Sequence, residues 1–314
     1  MPSSIQSALH ASGIQAARIE QLWWLMFWVC TVVFFLVMAA LAIAITRGRS
    51  GASVGASNST ITTNVSLAVA LSIVSLLGLL FADAMTGRAL ASLASPGALG
   101  IQITGYQWWW NIEYLDSDPS RRVTTANELH LPIGRPIYVT LHAADVIHSF
   151  WVPALHGKTD LVPGRENVTW LRVDRAGVYR GQCAEYCGAQ HAHMALTVIA
   201  EPSDQFEQWL KAQREPAPGP GTPEAIRGLQ VVERGPCAMC HTIRGTHAGA
   251  RVGPDLTHFA SRSTIAAGTA PNAPGYLAGW IADPQHLKPG ARMPPTGLSS
   301  SDLQAALVYL ETLR

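Results

Sequence analysis

No charged residue falls between Leu22 and Ile45, and none falls between Val65 and Ala82. Few folds are open to such a run. In lipid the backbone polar groups must be satisfied within the segment, so it becomes a helix. A membrane-spanning helix needs ~20 apolar residues; the first run exceeds this and the second sits at the short end. Trp23, Trp24 and Trp28 lie near the start of the first run, where an interfacial aromatic belt belongs. A cleaved signal sequence competes with this reading, but its apolar core runs only ~7–15 residues. Cys30, in mid-span, reads as an inert small residue. Only 14% of the 314 residues are charged, against ~25% in soluble chains. The net charge of +1 gives no reason to expect a nucleic-acid partner. Between the runs stand Arg47 and Arg49 with no acid, so the positive-inside rule puts this loop in the cytoplasm and both termini outside.

This gives an outer N-terminal segment (1–21), a first span (22–45), a cytoplasmic loop (46–64) and a second span (65–84). Beyond them the pattern shortens. Ile137–Leu141 and Val168–Val173 are β-rich runs set between turn signals at Pro132, Gly134, Pro136, Pro163-Gly164 and Ala176-Gly177. Short strands at that spacing predict a β-sandwich or barrel over residues 100–202. Residues 203–214 follow as an amphipathic helix, with Ser203 or Asp204 as its N-cap. The Pro/Gly-rich run 215–223 reads as a linker with no element of its own. Residues 224–314 form a third module, opening and closing on helical patterns: Ile226, Leu229 and Val232, then Ser301 to Leu313.

Four of the five cysteines fall in two close pairs, the arrangement of metal or cofactor attachment. In the first, Cys183 and Cys187 are followed closely by His191 and Met194. Thiolate, thioether and imidazole together favour copper over magnesium or calcium. His148, upstream in the β-module, is a further donor. Blue-copper sites use one thiolate; two on one loop allow two metal ions bridged by both sulfurs. The same cysteines also fit a disulfide, which leaves His191 and Met194 unexplained, or a zinc site, which leaves Met194 idle. His130, His142, His156 and His193 read as surface neighbours.

The second pair stands in Cys237-Ala238-Met239-Cys240-His241, the c-type haem attachment pattern. The thiols add to the haem vinyls and His241 reaches the iron. Met293, before the last helix, is the expected sixth ligand, because His/Met ligation raises the haem potential. His258 and His286 are the alternatives, and Met239, inside the attachment loop, is a poor one.

With these motifs in place, residues 101–200 resemble the copper domain of cytochrome c oxidase subunit II. The family pattern is met at Cys183, Glu185, Cys187, His191 and Met194, with His148 upstream. The resemblance implies that Cys183 and Cys187 bridge two coppers, that His148 and His191 each cap one, and that Met194 and the Glu185 carbonyl are weak ligands. It also implies a magnesium ion reached by the Glu185 side chain at the boundary with subunit I. Gln107–Trp110 resembles the family's aromatic patch for electron uptake, with Trp108 at the matching position. Leu155–Asp160 and Pro163–Arg165 fit the family too. The second span departs from it, lacking the usual glutamate and Trp-Thr pair. Residues 224–314 resemble class I cytochrome c domains fused to bacterial oxidase subunit II.

The expectation is therefore a multi-domain membrane protein: a two-helix transmembrane hairpin, a cupredoxin-like β-sandwich and an all-α cytochrome c domain. The resemblance implies an electron-transfer subunit of a proton-pumping cytochrome c oxidase in a bacterial plasma membrane, its copper and haem domains periplasmic. Subunits I and III and an external cytochrome c donor would be its partners. A nitric or nitrous oxide reductase-type subunit is the alternative. A quinol oxidase subunit would lack the copper ligands, and a free-standing electron-transfer or copper-sensing protein would have no oxidase partner.

Overall fold

The computed structural model describes residues 6–49, 57–91 and 97–314. The start of the expected N-terminal segment (1–5), part of the expected loop (50–56) and residues 92–96 lie outside them. The chain divides into two compact units, Ala17–Leu93 and a larger one of Met1–Ala16 with Ala94–Arg314.

The smaller unit holds two helices, α1 (Ile14–Arg49, whose first turn belongs to the larger unit) and α2 (Asn58–Ala91). Each is long and apolar enough to cross a membrane. Their large apolar side chains face outward; Phe35, Val74 and Phe81 are 64%, 67% and 68% exposed. Water would penalise that much open apolar surface, whereas lipid does not. Arg47 and Arg49 close α1 where cations suit the helix dipole.

The larger unit begins with ten strands, β1 (Leu99–Tyr106), β2 (Trp109–Tyr114), β3 (Val123–Ala126), β4 (Glu128–Pro132), β5 (Ile137–Ala143), β6 (His148–Trp151), β7 (Thr159–Leu161), β8 (Asn167–Leu171), β9 (Gly177–Cys183) and β10 (Ala195–Glu201). They form two five-stranded sheets, ordered β3-β2-β1-β5-β8 and β4-β10-β9-β6-β7. The β1–β5 and β4–β10 pairs are parallel; the other pairs are antiparallel. Along β1 and β2 burial alternates with the side-chain period of two, so Leu99, Ile101, Ile103, Trp110, Ile112 and Tyr114 point into the core. This is the expected cupredoxin-like sandwich.

Strand β4 is buried on both faces because helix α3 (Ser203–Arg214) covers it. Phe206 and Leu210 of α3 join the sandwich core, each contributing about 1.5–3 kcal/mol by full burial. The helix starts at Ser203 with Pro202 as its N-cap, so neither Ser203 nor Asp204 caps it. Asp204 instead sits in the first turn, where an acid suits the dipole. Two histidines expected at the surface are buried. His130 is sandwiched between Glu201 and a stacked Trp209 ring at 4.0 Å, and His156 stacks on Phe150. Both lie under apolar cover that the local sequence does not reveal.

The third module contains α4 (Pro223–Arg234), a short hairpin of β11 (Thr264–Ile265) and β12 (Ala270–Pro271), α5 (Pro274–Ala282), α6 (Pro284–Leu287) and α7 (Ser300–Leu310). Thr222 caps α4 by accepting from the Ala225 amide, and Ser299 caps α7 by accepting from that of Asp302. Val232, Leu277, Ile281, Leu307 and Leu310 meet in its core. Residues 215–222 form no helix or strand, whereas Pro223, the last residue of the expected linker (215–223), opens α4 because proline suits the first helical turn. They nevertheless lie against the third module: Ala217 N–H donates to Arg244 O at 2.9 Å, and Glu215 O is 3.1 Å from His258 Nε2. At the other end, residues 12–16 lie on the sandwich, with Ser12 N–H donating to Ala154 O at 2.7 Å and Gly13 bridging to Val173.

Candidate copper centre and haem attachment site

Strand β9 delivers Cys183 to the sandwich rim, and the chain returns to β10 through a loop tied at its base by Cys183 N–H donating to Met194 O (2.9 Å). On that loop the sulfurs of Cys183 and Cys187 stand 3.8 Å apart. A disulfide sets its sulfurs ~2.05 Å apart, so the pair is two thiols. His148 Nδ1 lies 3.9 Å from Cys183 Sγ, while His191 Nδ1 lies 3.6 Å from Cys187 Sγ. Met194 Sδ is 3.9 Å from Cys187 Sγ, and Glu185 O is 3.2 Å from Cys183 Sγ. Each sulfur thus faces its own imidazole and has its own weak donor beside it. His148, Cys183 and Cys187 bring their ligand atoms within 4.8 Å of one another. All six predicted residues converge. The donor set fits copper: soft sulfur and imidazole in a dry pocket.

The environment prepares the donors. Hydrogen bonding between the thiols draws Cys183 well below the usual thiol range, aided by His148, and pushes Cys187 up. Burial opposes charge on His148, but hydrogen bonds to Cys183 and Asp145 outweigh it and raise the imidazole. Asp145 Oδ1 is 2.9 Å from His148 Nε2. That contact fixes the ring and turns Nδ1 toward the sulfurs, the role a carboxylate plays behind a metal-bound histidine. Asp145 was not singled out from the sequence; its place three residues before His148 was the available signal. The Glu185 side chain turns away to Lys158, 3.7 Å off.

Trp108 lies under the same loop. Its indole N–H and the Gln107 side-chain amide both donate to Cys187 O, at 3.0 and 2.9 Å. Gly188 makes room for them: its φ is 114°, and a Cβ there would lie 3.1 Å from the Trp108 ring. The four histidines read as surface neighbours take no place in the cluster. His193 pairs with Gln190, His130 with Glu128 and Glu201, His142 with Glu166, and His156 with Gly157 O.

In the third module Cys237 and Cys240 stand on one tight turn with His241. Both are free thiols. His241 Nδ1 donates to Pro254 O at 2.7 Å, a tautomer that leaves the Nε2 lone pair for iron. Burial keeps the ring neutral by lowering its pKa. Gly253 lets the chain pass against the ring, since a Cβ there would come within 2.6 Å of His241 Cε1. Two thiols and an oriented neutral imidazole fit covalent haem. Met239 is 69% exposed. Met293 is half-buried on the loop between α6 and α7, its carbonyl accepting from Gln285 Nε2 at 3.1 Å. Of the alternatives, His258 has both ring nitrogens at backbone carbonyls, Arg314 O and Glu215 O, and His286 is exposed.

Fold and sites together define a membrane protein that joins a cupredoxin-like metal domain to a c-type cytochrome domain. The cytochrome c oxidase subunit II periplasmic-domain family model matches residues 115–201, and the cytochrome c model matches residues 225–314. Cytochrome c oxidase subunit 2 of Alkalihalophilus pseudofirmus is 40% identical over 68% of this chain and 61% of its own length. The same subunit of a Bacillus species is 34% identical over 68% of this chain and 62% of its own. The chain thus spans about three fifths of the length of these relatives. The crystal structure of the periplasmic domain of subunit II of cytochrome oxidase of Bradyrhizobium japonicum is 32% identical, covering 38% of this chain and 97% of that one, with a TM-score of 0.36. Residues 115–201 are thus similar to the cytochrome c oxidase subunit II periplasmic domain and residues 225–314 to cytochrome c, and domains of these two kinds imply copper and haem c.

Proposed function

We propose that this chain is the electron-transfer subunit of an oxygen-reducing, proton-pumping cytochrome c oxidase. It takes electrons from an external donor at haem c and passes them through a dinuclear copper centre to the haem–copper subunit I. The observation that carries this is the pair of thiols 3.8 Å apart, each facing a separate imidazole, in one compact unit with a module bearing the haem attachment turn.

In this reading Cys183 and Cys187 would bridge two coppers, His148 and His191 would cap one each, and Met194 and Glu185 O would be weak ligands. Cys237 and Cys240 would hold the haem, with His241 and Met293 on its iron. When bound, both groups supply reversible one-electron chemistry with no proton to place. The protein's task is to keep the donors dry and fixed, so that little has to move when charge arrives. Asp145 and Pro254 O do this by orienting the two imidazoles. The two spans and the residue 12–16 contacts with the sandwich favour a plasma-membrane anchor, with the N-terminus and both redox domains on the periplasmic side. The Glu185 carboxylate, 43% exposed and paired here with the exposed Lys158, would exchange that partner for a magnesium ion where subunit I, accompanied by subunit III, closes the site.

Tagged full-length chain purified from membranes should bring with it a large multi-span haem protein that consumes oxygen. It should contain two coppers and one covalent haem per chain. Recovery alone, or with a partner that reduces nitric or nitrous oxide instead, overturns the assignment.

A further inference from the structure

The segment leading to Met293 is pressed onto the copper loop. Lys288 is 3% exposed, an uncommon state for a lysine. Its ammonium donates to three carbonyls on three segments: Trp108 O (2.8 Å) and His193 O (2.7 Å) in the copper domain, and Ala266 O (2.9 Å) in its own module. Pro289 O accepts from Gln190 Nε2 at 2.7 Å. Gly290 lies over the Trp108 ring, a Cβ there coming within 3.6 Å. Arg292 reaches Gln107 Oε1 (2.9 Å) and Asp145 Oδ2 (3.3 Å), the carboxylate that orients His148. Two further bonds flank this seam: Ala195 N–H to Ala267 O at 3.0 Å, and Ser263 Oγ–H to Glu128 Oε2 at 2.8 Å. The result leaves Trp108 only 9% exposed.

A buried ammonium is costly unless its hydrogen bonds are met, and burial pushes Lys288 down to about 7. Here all three donors have partners. Two of the partners exist only while the modules are together, so parting them would strand the group.

We propose that Lys288–Arg292 is a docking clamp that holds the cytochrome c module on the copper loop in a single pose and closes the Trp108 face to outside donors. Lys288 is a positioning residue, and Arg292 braces the rim. The proposal rests on the haem-to-copper route above, and its test separates the two.

The test uses the purified intact complex carrying Lys288→Met, which keeps the stem and removes the donor. Hydrogen exchange of residues 106–110 and 188–194 should rise about tenfold to a hundredfold, the factor for losing a buried charged hydrogen bond. Exchange around His241 and the spectra of both centres should stay as in the parent, which a general loss of structure would not allow. After rapid mixing with a reduced soluble cytochrome c, a single electron passing from iron to the copper pair oxidises one and reduces the other; this step should slow while haem reduction does not. Unchanged exchange at the seam overturns the clamp. Raised exchange with an unchanged copper time course upholds the clamp and sinks the route. Should Lys288→Met fail to load haem, Arg292→Gln at the exposed rim gives the same readout, with about a twofold expected rise; no rise overturns the proposal.

Discussion

The copper loop and the haem module place their proposed ligands in opposite ways. Five of the six predicted copper donors fall between Cys183 and Met194, on one loop whose ends are stitched to β9 and β10. His148 is pinned to the same rim by Asp145. In the haem module, Cys237, Cys240 and His241 share a turn, but Met293 comes from a loop beyond α6, held by Gln285. A metal ion needs only a few donor atoms placed by the backbone. A haem must also serve as part of the core that gathers distant segments. The copper site should therefore tolerate metal loss, and the haem module should not tolerate haem loss.

The largest effect tests the first half of this contrast. Cys187→Ser should abolish the paired-thiolate spectrum, because one sulfur cannot bridge two metals. Metal analysis should give at most one copper per chain, while circular dichroism of the sandwich stays near that of the parent. Two coppers retained in this variant would mean that the bridge is assigned wrongly. Replacing Cys237 and Cys240 with serine tests the other half. The third module should lose roughly 10–20 °C in its melting transition, as expected for losing a few kcal/mol from a domain of this size. The copper spectrum should stay unchanged. Coincident loss of both transitions would show that the modules fold as one, erasing the distinction.

Met293→Ala sharpens the haem side. The haem potential should fall by about a tenth of a volt or more, within the ~0.8 V span that axial ligands command. The thioether–iron band should vanish from the visible spectrum. The smallest effect lies at the seam. Burial opposes charge on Glu128, but hydrogen bonds from His130 and Ser263 outweigh it and lower its pKa. A lowered folded value means that its contribution is present above the ordinary value of 4.5 and is lost as pH falls through the folded value. Melting between about pH 3 and 6 should show this loss in the parent, and Glu128→Gln should flatten it.

Much of this was readable because the copper donors and the haem thiols are local patterns, and because period-two and helical spacings report burial directly. What escaped depends on contacts between distant segments. The exception is Asp145, whose partner His148 stands only three residues on, so that its signal was local. His130 and His156 look like ordinary polar residues, and only the α3 cover and the Phe150 stack reveal them as buried. Lys288 sits between Leu287 and Pro289 with nothing to mark it, since lysines are seldom interior. The two expected caps of α3, Ser203 and Asp204, lie one and two residues past the actual cap Pro202, because both favour a helix start either as a cap or within the first turn.

The run Glu215–Gly221 has the composition of a swivel, yet Glu215 and Ala217 are bonded to the haem module. Exchange between the two modules should then obey first-order kinetics, set by a docking equilibrium and indifferent to protein concentration. Lengthening the chain at Gly219 would change the effective concentration of an undocked partner by only the weak power law of loop closure. With the seam intact, such an insertion should leave inter-module exchange unaltered, while added salt should act mainly on the encounter with an outside donor.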